Sequence, residues 1–75
     1  MEPADRLDLL LGQILQRNRF ISFEQLEEAL AHQAAGDKRP IGEILSKSGA
    51  CTPDQLLIAV MQQYALLSSA EITNN

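Results

Sequence analysis

The sequence predicts an all-α fold of four helices, arranged as two tandem repeated helix-turn-helix pairs with a pseudo-twofold relation. Three observations predict it: the chain repeats itself, its apolar residues recur at helical spacing, and helix caps occur at equivalent places in both copies. Residues 11–33 align without gaps with residues 41–63, each residue pairing with the one 30 positions later. Because neither helix pair can bury its apolar face alone, we expect the two pairs to stack.

The repeat is carried by seven identical pairs among the 23 aligned positions. They are Gly12/Gly42, Ile14/Ile44, Leu15/Leu45, Gln25/Gln55, Leu26/Leu56, Ala29/Ala59 and Gln33/Gln63.

In the first copy, apolar residues at steps of three and four predict a helix over 4–17. Asn18 and Arg19 end it, since asparagine tolerates the left-handed conformation of a helix stop. Ser22 as N-cap and Gln25 three places later form a capping box, which predicts a second helix over 23–35. Gly36 is its stop.

In the second copy, Pro40 at the first helical position opens a third helix over 40–47. Gly49 is its stop, and Thr52 with Gln55 repeats the capping box ahead of a fourth helix that we expect to end at Leu66 or Leu67. These elements predict a single helical domain over residues 1–67, with a loose tail over 68–75.

Composition limits the function. Six Lys and Arg against ten Asp and Glu give a net charge of −4, which argues against non-specific binding to DNA or RNA. One cysteine cannot form an internal disulfide, and the N-terminus has no apolar run, so we expect a cytoplasmic location. No apolar segment is long enough to span a membrane.

The repeated residues also form a recognisable pattern. The first copy reads Leu11-Gly12, Leu15, Gln25-Leu26, Ala29-Leu30, Gln33, and the second reads Ile41-Gly42, Leu45, Gly49, Gln55-Leu56, Ala59-Val60, Gln63. This resembles the MshEN domain, the N-terminal module of the bacterial ATPases of type II secretion and type IV pilus assembly. That family looks like tandem copies of RLGxxLxxxGxIxxxxLxxxLxxQ with a short spacer. The resemblance covers most of the chain, about residues 10–63.

The resemblance implies a ligand, since many MshEN domains bind cyclic di-GMP along the two motifs. The matching positions here are Gly12, Leu26, Leu30 and Gln33 in copy one, and Gly42, Leu56, Val60 and Gln63 in copy two. Glycine lets a ligand approach the backbone, leucine offers an apolar face to a guanine, and glutamine can donate and accept at a base edge.

The chain departs from the family where an arginine would meet the phosphates. Leu10 and Pro40 occupy the two arginine positions, so Arg39 is the phosphate contact that we expect if the ligand binds. Arg19 also replaces the loop glycine of copy one. These departures favour a non-catalytic regulatory or docking module that acts by protein–protein interaction, with cyclic di-GMP binding as the alternative.

Other chemistry has little support in the sequence. No GxxxxGK[ST] motif occurs, so we expect no nucleotide triphosphate hydrolysis by that mechanism. His32 is a lone histidine, Cys51 aligns with Ile21 as a small buried residue, and the chain is predicted not to be an enzyme or to hold a metal or cofactor. A helix-turn-helix DNA binder is the rival fold, but the second and fourth helices carry no Lys or Arg.

The two copies differ on one side of their longer helices. Glu27, Glu28 and Ala31 in the first copy become Leu57, Ile58 and Met61 in the second, and Tyr64 extends the apolar side. Because an apolar surface of this size must be covered, the sequence predicts a partner interface at Leu57, Ile58, Met61 and Tyr64. Either a homodimer or another protein fits this prediction.

Overall fold

A computed structural model describes the backbone of residues 6–73 and the side chains of residues 7–69. Its helices are α1 (Arg6–Arg17), α2 (Phe23–Ala34), α3 (Ile41–Lys47) and α4 (Pro53–Thr73). No strand occurs within residues 6–73, so the all-α prediction is confirmed. The expected start of the first helix at residue 4 lies outside the described residues.

Both predicted capping boxes form. The Gln25 amide N–H donates to the Ser22 hydroxyl at 3.1 Å, and the Gln25 side chain accepts from the Ser22 N–H at 2.8 Å. Thr52 and Gln55 make the same two hydrogen bonds, at 3.1 and 3.0 Å. Each box satisfies two of the N–H groups that a helix start leaves unpaired, which fixes the entry into α2 and α4.

The turns also repeat their hydrogen bonds. The Phe20 N–H donates to the Leu15 carbonyl at 2.9 Å, and the Ala50 N–H donates to the Leu45 carbonyl at 2.9 Å, thirty residues later. Gly36 and Gly49 have positive φ angles of 114° and 84°, as their predicted role as helix stops requires. Superposition of the two pairs by a near-twofold rotation stays a prediction.

α1 and α3 form the centre of the fold. α1 packs against α3 and α4, and α2 packs against α3, whereas the described residues of α2 and α4 do not contact each other. The largest fully buried side chains are Leu15, Ile41 and Leu45, so the core lies where the two central helices meet. Asp8 of α1 reinforces this meeting, because its Oδ2 accepts from the Ile41 N–H at 3.3 Å and so caps α3, which has no side-chain cap of its own.

The helix α2 ends at Ala34 with Ala35 as its C-cap, in agreement with the expected end. Three expected details are wrong. Pro40 is the N-cap of α3 and not its first residue, because its ψ of 151° is extended. The left-handed residue after α1 is Arg19, with φ 63°, and not Asn18. The helix α4 continues to Thr73, so the tail predicted from residue 68 is helical through that residue. Residues 74–75 lie outside the described chain.

Candidate functional site

The two motif glycines lie beneath leucine side chains. Gly12 and Gly42 are buried, and a Cβ added to Gly12 would lie 2.6 Å from Leu26 Cδ1. A Cβ on Gly42 would lie 2.9 Å from Leu56 Cδ1. The missing side chains therefore make room for a close approach between helices, and the leucines already occupy the space over both glycines.

The leucines of the predicted ligand site differ in exposure. Leu26 is buried in the core, Leu30 and Leu56 are partly buried against it, and Val60 is exposed on α4. In this arrangement a planar base can reach Leu30, Leu56 or Val60, but it cannot reach Leu26 unless the core opens.

The motif glutamines are engaged inside the chain. Gln33 Nε2 donates to Asp8 Oδ2 and to the Arg39 carbonyl, both at 3.0 Å, while its Oε1 is buried without a hydrogen-bond partner. Gln63 Nε2 donates to the Leu7 carbonyl at 2.8 Å. Gln33 therefore ties α2 to the segment that leads into α3, and Gln63 ties α4 to the start of α1.

The backbone carbonyl of Arg39 accepts a hydrogen bond from Gln33, but the Arg39 guanidinium is held by the carboxylate of Asp37. Arg39 Nη2 lies 2.7 Å from Asp37 Oδ2, and Arg39 Nε donates to Asp37 Oδ1 at 3.0 Å. These hydrogen bonds lower the pKa of Asp37 to about 2, and they raise the pKa of the Arg39 side chain above its ordinary value. A phosphate would have to displace Asp37 to bind Arg39.

Carboxylates thus flank the predicted ligand site where phosphate would be expected. Asp8 is bonded to Gln33, and Asp37 is bonded to Arg39. Arg39 and Gln33 are brought together, whereas Gln63 lies at the start of α1 and Gly12 and Gly42 are covered. A dianionic ligand would therefore meet the negative charge of Asp8 beside Gln33 and of Asp37 beside Arg39. It would find no exposed backbone at the two covered glycines.

A cavity that the sequence analysis missed lies between α2 and the turn after α3, with a volume of about 420 Å³. Arg39, His32, Glu28 and Lys47 contribute its charged and polar wall, and it shares only Arg39 with the predicted ligand residues. At the equivalent place in the other half, Asn18 Nδ2 donates to Gln62 Oε1 at 2.7 Å and bridges the turn after α1 to α4.

The residues aligned with that bridge explain the difference between the two halves. His32 aligns with Gln62, and Ser48 aligns with Asn18. The Ser48 hydroxyl donates to the Leu45 carbonyl at 3.0 Å, within its own turn, so it makes no bridge to α2. His32 and Ser48 stand where the other half has the bridging residues Gln62 and Asn18. This difference between the repeats was the signal in the sequence that the two halves are not equivalent here.

The apolar side chains predicted as a partner interface all point to solvent. Leu57 is 58% exposed, Met61 63% and Tyr64 74%, and Ile58 beside them is also exposed. We call these four side chains the outer face of α4. Ala59 on the opposite side of the helix is fully buried, so α4 presents one apolar side to the core and another to water.

Cys51 and His32 are the two other reactive side chains that the sequence singled out. Cys51 is buried, and burial raises the pKa of its thiol, as expected of a small core residue. His32 is exposed on α2, and the described residues contain no group of three or more His, Cys, Asp or Glu that could hold a metal ion. Within the same part of the chain, no helix is both long enough and apolar enough to cross a membrane.

Comparison with models of protein families, with curated proteins and with solved structures gives no match to this chain.

Proposed function

We propose that this chain is a non-catalytic regulatory or docking module of the secretion or pilus ATPase type, which acts by protein–protein contact through the outer face of α4. The observation that carries the proposal is the exposure of Leu57, Met61 and Tyr64 on a helix that is buried on its opposite side at Ala59. Covering a large apolar side chain contributes about 1.5–3 kcal/mol, so a partner at this face gains substantially from binding.

Comparison of the two repeats supports a functional reason for the apolar outer face of α4. Glu27 and Ala31 of α2 are exposed like their counterparts Leu57 and Met61 of α4, so the repeat accommodates charged or small residues at these positions. The fold therefore does not require large apolar side chains there, and contact with another molecule is the reason that we propose for them.

The surroundings of the predicted ligand residues favour docking over cyclic di-GMP binding. Asp37 holds the guanidinium of Arg39, the arginine nearest the motif position, and Leu26 covers Gly12. Binding of a dianion would require loss of the Asp37 pair and displacement of a core leucine. Cyclic di-GMP binding is therefore the alternative that the experiment must separate from docking.

Photo-crosslinking in cells that encode the chain tests the proposal. A photoreactive amino acid in place of Met61 should form adducts whose second component, identified by mass spectrometry, is this chain or a secretion or pilus assembly protein. The matched control replaces Ala31, the exposed equivalent in the first repeat, and should form none. Equal adducts at both positions, or none at position 61 together with calorimetric binding of cyclic di-GMP, would overturn the proposal.

A further inference from the structure

We infer that the occupant of the outer face of α4 is the same face of a second copy of this chain, with the two helices antiparallel about a twofold axis near Met61. This inference rests on the proposed function, because it takes the same face and names its partner. It is drawn from the spacing, the area and the charge of that face.

The spacing of the exposed residues suits another helix. Leu57, Met61 and Tyr64 are separated by four and three residues, the alternation that forms the seam between two packed helices. Ile58 and Val60, both exposed, flank the seam. The apolar surface is therefore a stripe along the helix, and a second straight helix covers such a stripe along its length.

The area is of the size that a small dimer needs. With side chains that are 45–74% exposed, the outer face of α4 offers roughly 500 Å² of apolar surface per chain. Val60 and Leu67, 40% and 42% exposed, extend it at the edge. Two such faces can bury at most about 1,000 Å² in total, which is the low end for a specific interface, so we expect a dimer of modest affinity.

The helix dipole sets the orientation. Asp54 and Glu71 are the charged residues in the sequence of α4, so a strongly charged partner finds no complement along the stripe between them, whereas a second α4 presents the same uncharged stripe. An antiparallel pair centred on Met61 opposes the two helix dipoles and separates the two Asp54 residues by about 21 Å along the helix axis. A parallel pair aligns the dipoles unfavourably and places the two Asp54 residues side by side.

Sedimentation equilibrium tests the association. At concentrations up to about 500 µM the chain should approach 16.6 kDa, twice the 8.3 kDa of one copy. The double variant Leu57→Glu, Met61→Glu should raise the dimer Kd at least about 100-fold while its circular dichroism stays helical. The charge-matched control Gln13→Glu, Ala31→Glu, at exposed positions of α1 and α2, should dimerise like the native chain.

Cysteine cross-linking tests the orientation independently. Met61→Cys should oxidise to a disulfide-linked dimer and Asp54→Cys should not, because a disulfide needs its two Cα atoms within about 7 Å. The buried Cys51 stays in place as an internal control. Efficient cross-linking by both variants overturns the antiparallel arrangement.

A native chain that remains a monomer at about 500 µM overturns the second copy as partner. Adducts of position 61 with another protein in cells would then leave the docking function standing. Absence of both the dimer and the adducts removes both proposals.

Discussion

Alanine at Gly12 should destabilise the fold, whereas alanine at Gly42 should leave its stability nearly unchanged. Both replacements gain about 1 kcal/mol of intrinsic helix preference. At Gly12 the new Cβ would lie 2.6 Å from Leu26 Cδ1, and Leu26 is only 5% exposed, so it cannot turn away without opening the core. Such overpacking costs about 1–3 kcal/mol, which leaves a net loss of about 1 kcal/mol.

At Gly42 the nearest contact is 2.9 Å, to Cδ1 of Leu56, which is only partly buried. Leu11 Cδ2 would lie 3.4 Å away, which is an ordinary van der Waals distance. Leu56 can rotate toward solvent, so the cost nearly offsets the gain and the free energy of unfolding should change by less than about 0.5 kcal/mol. Urea unfolding followed by circular dichroism measures both variants. The host should carry Leu57→Glu and Met61→Glu, so that association does not add to the measured stability.

The reasoning is refuted if Gly12→Ala is as stable as Gly42→Ala. A double variant supplies the control: adding Leu26→Val removes the Cδ atoms, so the further change Gly12→Ala should no longer destabilise the chain.

Substitutions at Asp8 and Arg39 and modification of Cys51 test individual hydrogen bonds and the burial of the thiol. Asp8→Ala should cost about 1 kcal/mol in urea unfolding, because it uncaps Ile41, whereas Asp8→Asn keeps an acceptor and should cost less; equal losses would contradict the capping role. Arg39→Gln should return the pKa of Asp37 from about 2 toward its ordinary value of 3.8, measured by NMR of the carboxyl carbon. Because the folded-state pKa is depressed, the stabilisation from this pair is present above about pH 3.8 and lost toward pH 2, and a variant with the native pKa would exclude Arg39 as the cause. Cys51 should react with a thiol reagent only after unfolding, and prompt reaction of the native chain would show that the site opens.

Local signals account for what the sequence predicted well. The capping boxes at Ser22 and Thr52 and the glycines at the ends of two helices act within a few residues of themselves, so their effect is readable from the chain alone. Comparison of the repeats also identified side chains that the structure leaves exposed, such as Leu57 and Met61.

The differences from the expected structure arose where the extension of an existing helix, or a contact between residues far apart in the sequence, decides the structure. The fourth helix was expected to end at Leu66 or Leu67, but no Gly or Pro follows before Thr73, and an established helix extends at little cost. The left-handed Arg19 was readable from its alignment with Gly49. The contact between Asp8 and Ile41 spans 33 residues and has no local signature.

Two-dimensional ¹H–¹⁵N NMR of the native chain separates docking from ligand binding in one experiment, because one set of amide signals reports both candidate sites. We expect that raising the protein concentration shifts amides around Leu57, Met61 and Tyr64 of α4, and that cyclic di-GMP at high micromolar concentration shifts none. Ligand-induced shifts at Gly12, Gly42 or Gln33, with an α4 that does not respond to concentration or to any protein partner, would contradict this expectation.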